Sequence, residues 1–145
     1  AEAVNEYYGP DHEDVLGEYT ISPLAVLKLL RERAGIDAGE DGRYGLEEGI
    51  ETDYQKMRDA IRLERRIELA FEEHRFFDVR RWMIAEETEN KQMHGFEITR
   101  SVNGFEKGRI IPVRKHTFRQ AMYFFPIPYK ETVKSDDLVQ NPYYE

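Results

Sequence analysis

The chain has 145 residues, the length of one ordinary domain, and 40% of them are hydrophobic, so a core can be buried. Its net charge of −8 argues against binding to a phosphate backbone or an anionic membrane surface, and the absence of cysteine excludes disulfides, thiol catalysis and Cys-ligated zinc. Charged residues reach 34% but are interspersed, as in a folded, well-solvated chain rather than a disordered tail.

Residues 1–8 read as the last turns of a helix stopped by Gly9-Pro10, and residues 9–21 read as a loop. No apolar run approaches a membrane span and no signal peptide opens the chain, so residues 1–145 are expected to be one domain cut from a longer protein. Ser22-Pro23 is a helix start: Ser can cap and Pro suits the first helical position. Leu24, Leu27, Leu30 and Ala34 recur at helical spacing, and Gly35 stops the run, which predicts a helix over 22–34. Residues 35–50, rich in Gly and acid, read as a connecting loop. A long helix is predicted from about Thr52 to about Phe76, continuing with a break through Trp82. Met57, Ala60, Ile61, Leu63, Ile67, Ala70 and Phe71 would form its wide apolar face. Residues 86–95 follow as a polar loop. Asn103-Gly104 then predicts a tight hairpin, with both residues at the turn positions that need positive φ and Phe105 to Val113 as the returning strand. Pro126 and Pro128 hold Ile127 in extended backbone, and Glu131 to Leu138 read as a short turn or helix.

The long helix carries the chemistry worth weighing. In one continuous helix Met57, Ile61, Glu64, Glu68, Phe71, Arg75 and Asp78 share a face. Glu64 and Glu68 repel unless cations bridge them, and Arg65 and Arg75 are candidates. Asp78 with Arg75 and with Arg81 are further pairs three residues apart. Two roles compete for the glutamates: an acid–base pair, as in a glycosidase, or half of an ion network that fixes helix packing. Carboxylates one turn apart on one helix cannot flank a glycosidic bond from two faces, which favours the network of Glu64, Arg65, Glu68, Arg75, Asp78 and Arg81 over any catalytic residue.

Smaller signals divide similarly. Asp37 to Glu48 matches a calcium loop at positions one, five, six and twelve, but Gly39 stands where a ligand is needed, so the plain reading is an acidic linker. The four His lack the spacing of a zinc site, and no cofactor motif occurs. Tyr7 and Tyr8 beside Gly9-Pro10 are weak candidates for stacking on a sugar ring, whereas Trp82 is expected to pack.

The stretch from Ile61 to Trp82, with Arg65-Arg66, Glu68-Leu69-Ala70-Phe71-Glu72, Arg75-Phe76, Asp78 and Arg80-Arg81-Trp82, resembles the hallmark segment of SusD/RagB proteins. A second match lies at Met122-Tyr123, Phe125-Pro126-Ile127-Pro128 and Glu131, followed by Leu138-Val-Gln140-Asn141-Pro142-Tyr143. There the family usually ends with Gly where this chain has Tyr143. A weaker third match is Leu30-Arg31, Arg33-Ala34-Gly35.

That resemblance implies a mainly α fold: a tetratricopeptide-like helix pair with irregular loops and a small β-hairpin, the C-terminal portion of a SusD-like fold. It implies a non-catalytic part of a lipid-anchored, surface-exposed outer-membrane protein. Such a protein would bind glycans or other nutrients, mainly through parts outside this chain, and pass them to a TonB-dependent SusC-like barrel. No cofactor and no nucleic acid are implied. The alternatives are a helical-repeat scaffold that binds only proteins and, more remotely, a hydrolase with paired carboxylates.

Overall fold

The computed structural model describes residues 1–144. The chain divides into two compact units, Ala1–Arg75 and Phe76 onward. Among the described residues there are six α-helices and two separate antiparallel strand pairs, so the fold is mainly α.

In the first unit, α1 (Glu2–Tyr7) ends at Gly9, whose φ of +109 suits glycine and turns the chain. The expected loop after it contains a short hairpin instead: β1 (Asp14–Leu16) pairs with β2 (Tyr19–Ile21) across Gly17-Glu18. Its strands are almost wholly exposed, so no buried alternation marked it in the sequence. The helix α2 (Pro23–Arg33) starts as predicted, with the Ser22 hydroxyl accepting from the Ala25 N–H at 3.1 Å. It ends in a Schellman motif: Gly35 donates to the Glu32 carbonyl and Ile36 to the Arg31 carbonyl, with Gly35 at φ +77. The Gly-rich loop is no slack linker, because Leu46 and Ile50 are buried in the unit's core with Leu27, Met57 and Ile61.

The helix α3 (Tyr54–Glu68) is capped by Asp53, which accepts from the N–H groups of Gln55 and Lys56. The predicted continuation to Phe76 is wrong. The helix stops at Glu68, and Phe71 and Glu73 take left-handed φ values of +67 and +63 before α4 (His74–Arg81) begins. The common face expected from Met57 to Asp78 therefore ends at Glu68. The wide apolar stripe is also narrower than expected: Met57 and Ile61 are buried, but Leu63, Ile67 and Phe71 are exposed.

The second unit has a small core of Val79, Ala85 and Phe118, flanked by Ile84, Met122 and Tyr123. The expected polar loop contains a one-turn helix, α5 (Ala85–Glu89), and then β3 (Gln92–Ser101) pairs with β4 (Gly104–Lys115). The hairpin is present, yet its turn sits one residue earlier than predicted. Val102 and Asn103 form the loop, Ser101 pairs with Gly104, and Gly104 alone takes the positive φ, +120. A short 3-10 turn at Gln120–Tyr123 and α6 (Tyr129–Thr132) complete the unit.

Candidate functional site

The hallmark charges meet cations on the neighbouring helix. Arg31 Nε of α2 donates to Glu64 Oε2 of α3 at 2.9 Å, and both side chains are nearly enclosed, 12% and 8% exposed. Arg31 also donates through Nη1 to the Tyr44 carbonyl at 3.0 Å. One guanidinium thus ties α2 to α3 and to the Gly-rich loop, where Tyr44 itself sits at φ +55. One turn further on, Arg33 of α2 pairs with Glu68 of α3, at a more open position. Two glutamates that would repel are each set against a cation from across the helix pair. Sequence spacing could not show this, because the partners lie 33 and 35 residues apart. Within the loop, Arg43 grips both carboxylate oxygens of Glu51 at 2.8 and 2.9 Å, which pulls the Glu51 carboxyl down to about 2.

The other predicted network residues lie on α3 and α4. Arg65 lines a groove beside Glu64 and Glu68, and Arg75 is half-buried at the end of the first unit. Asp78 is buried in the second unit and accepts from Arg81 Nε at 2.9 Å, while the Arg81 guanidinium lies 4.7 Å from the Trp82 ring centre. Arg80, a hallmark residue outside the expected ion network, makes contacts of its own. It lies 3.5 Å over the Phe76 ring and donates to the carbonyls of Phe76 and Met122.

The second motif is a clamp made from side-chain amides. Pro126 and Pro128 have no N–H, so Ile127 holds the lone backbone donor of the three. Gln140 meets it on both sides: Ile127 N donates to Gln140 Oε1 and Gln140 Nε2 donates to the Ile127 carbonyl, each at 2.8 Å. The amide does the work of a missing strand partner. Asn141 Nδ2 donates to the Phe125 carbonyl at 2.6 Å, and the Tyr144 hydroxyl to the Phe124 carbonyl at 3.1 Å. The same device recurs at Asn90, whose side chain accepts from Phe118 N and donates to the Phe118 carbonyl. Tyr143 stands at φ +69, a conformation that favours glycine, which gives a physical reason for the Gly usual at this place in the family pattern.

Tyr7 and Tyr8 are exposed, with ring centres 4.5 Å apart edge to face, and Tyr8 stacks on His12 at 4.0 Å. In the 37–48 loop, the Asp37 and Asp41 carboxylates accept from the N–H groups of Gly39 and Arg43. Among the described residues no three His, Cys, Asp or Glu side chains converge as a metal site would need. No helix among them is long and apolar enough to cross a membrane.

A braced helix pair, then an irregular hairpin-bearing unit closed by a proline and amide clamp, defines a fragment of a SusD-like fold. The chain matches the SusD family over residues 1–144. It is also similar to a SusD-like protein of solved structure from Bacteroides fragilis NCTC 9343, with 34% identity and a TM-score of 0.56 over 84% of this chain and 24% of that one. The chain belongs to the SusD family. It spans about a quarter of the length of that relative. No curated protein matches it.

Proposed function

We propose that this chain is the C-terminal part of a cell-surface, lipid-anchored nutrient-binding protein. The whole protein would hold a glycan or another nutrient and deliver it to a TonB-dependent, SusC-like barrel in the outer membrane, with no catalysis of its own. The observation that carries this reading is the SusD family match across 1–144, with both hallmark segments in order. Within it, Glu64 and Glu68 are braces of a helix pair rather than an acid and a base. Both face arginines on one side of one helix, which is geometry for packing and not for flanking a scissile bond. Arg65, Arg75, Asp78 and Arg81 extend this structural role. The exposed Tyr7–Tyr8–His12 stack is the candidate platform for a sugar ring.

The test uses the full-length protein. Calorimetry against a panel of oligosaccharides is expected to give saturable heat, and pull-down from outer membranes is expected to recover a TonB-dependent barrel. A protein that stays in the cytoplasm, or that binds neither glycan nor barrel, overturns the assignment. Tyr7→Ala with Tyr8→Ala is expected to weaken glycan binding while leaving the melting temperature in place. Unchanged affinity removes the platform.

A further inference from the structure

In the second unit the β3–β4 hairpin is two-faced. The cross-strand pairs Phe96–Ile110, Ile98–Lys107 and Arg100–Phe105 lie on one side of the ribbon, because opposite residues share a side and alternate residues return to it. The Lys107 Nζ stands 4.3 Å from the centre of the Phe96 ring, as that assignment requires. Glu97, Thr99, Glu106 and Arg109 take the other side, where Arg109 pairs with Glu97. One side is therefore polar and self-paired. The other is apolar with Arg100 and Lys107 and no carboxylate, and its Phe96, Ile98, Phe105 and Ile110 are 53–75% exposed.

The two edges of the ribbon are unlike as well. Among the described residues no third strand pairs with β3 or β4. Both register shifts put the extra residue in β4: Val113 lies between the partners of Met93 and His94, and Gly108 with Arg109 opposes Glu97 alone. Pro112, also in β4, has no N–H to give. Bulges and proline blunt a sheet edge against further pairing. β3 has neither, and it presents ten residues of regular strand with alternate backbone groups turned outward. A two-stranded ribbon is marginal in water, whereas a third strand along an apolar face makes it stable.

Charge selects the third strand. Residues 92–115 carry five cations and two carboxylates, in a chain whose net charge is −8. A second copy of the hairpin would set like charges side by side, and an anionic lipid surface would repel the acidic chain as a whole. Arg100 is exposed, and its cross-strand partner is Phe105 rather than a carboxylate. We propose that the outer edge of β3 is a docking site for an extended, acidic segment of a partner protein. The segment adds as a third strand, continues the Phe96–Ile98 face with apolar residues and sets a carboxylate opposite Arg100.

The test uses the full-length protein and a fluorescent ten-residue peptide, matched to β3 in length. The peptide alternates Val and Thr, with one Val replaced by Glu to face Arg100. Anisotropy is expected to show saturable binding. Arg100→Glu should weaken it about tenfold, and a peptide with Lys in place of Glu should recover the loss in that variant. Recovery by the swapped charge excludes a folding defect. N-methylation along the peptide should abolish binding, because strand addition needs backbone N–H groups. Absence of saturable binding overturns the proposal, as does binding indifferent to the charge at residue 100 or to N-methylation. So does slow hydrogen exchange throughout β3 in the full-length protein alone, which would mean that its own chain covers the edge. Binding to phosphatidylglycerol vesicles that Arg100→Glu abolishes would give the face to lipid, and dimerisation abolished by the same change would give it to a second copy. Neither nutrient nor barrel enters these measurements, so failure here is distinct from failure of the binding role.

Discussion

The two units are held together by different chemistry. In the first, regular helices are tied by full charges: Arg31 with Glu64, Arg33 with Glu68 and Arg58 with Glu6 all join one helix to another. In the second, the helices outside the hairpin are short, and neutral amides join Arg80 in tying irregular backbone, Gln140 at Ile127 and Asn90 at Phe118. The composition follows. Residues 1–75 carry nineteen carboxylates against ten cations, and residues 76–145 carry ten against eleven. Helices satisfy their own backbone groups and leave side chains free to pair by charge. Irregular backbone must find partners for its N–H and C=O groups, and an amide side chain presents a donor group beside an acceptor oxygen and so can meet both.

The sharpest way to break this contrast is Glu64→Ala. It strands the nearly buried Arg31 and is expected to cost about 3 kcal/mol, seen as a lower melting temperature and faster hydrogen exchange in α2 and α3. Exchange unchanged in those helices would mean that the pair does not brace them. Gln140→Ala leaves both backbone groups of Ile127 without a partner, and about 2 kcal/mol is expected, with the Ile127 amide exchanging faster. Tyr143→Gly works in the opposite direction: removing a side chain from a left-handed position should stabilise by about 1 kcal/mol, measured by denaturant unfolding. Glu68→Ala should cost less than about 1 kcal/mol, because Arg33 is 63% exposed and water replaces its partner.

The last prediction concerns pH. Glu51 is held at about 2 by Arg43, below its ordinary value of 4.5. A depressed carboxyl stabilises the fold above its unfolded value and loses that contribution as pH falls through the folded one. The gap in melting temperature between the native chain and Glu51→Gln should therefore be constant above about pH 5 and close on the way to about pH 2. A gap that widens in acid would contradict the Arg43 pairing.

Much of the first unit was legible because its signals are local. Ser22-Pro23 and Gly35 mark the ends of α2 within a residue, since a cap and a Schellman turn depend on immediate neighbours. The break after Glu68 was not legible. Leu69 to Glu73 contains neither Gly nor Pro, and the left-handed residues there are Phe and Glu, which no propensity assigns to a turn. The hairpin register slipped by one because the Asn-Gly preference fits a turn centred on that pair, whereas Gly104 here opens the returning strand. The family motifs marked where structure is fixed without saying how. That Gln140 serves Ile127 is visible only once residues thirteen apart are brought side by side.

The order of residues in the clamp has a bearing on how the protein ages. An asparagine loses its amide when the N–H of the next residue attacks the side chain, closing a ring and releasing ammonia. Asn141 precedes Pro142, which has no N–H to attack with, so the amide that holds the Phe125 carbonyl is shielded from this route. Asn103 precedes Gly104 at an exposed hairpin tip, where the attacking N–H is least hindered. Chemical wear is thus directed to the hairpin tip and away from the clamp, so the clamp should outlast the tip during long storage.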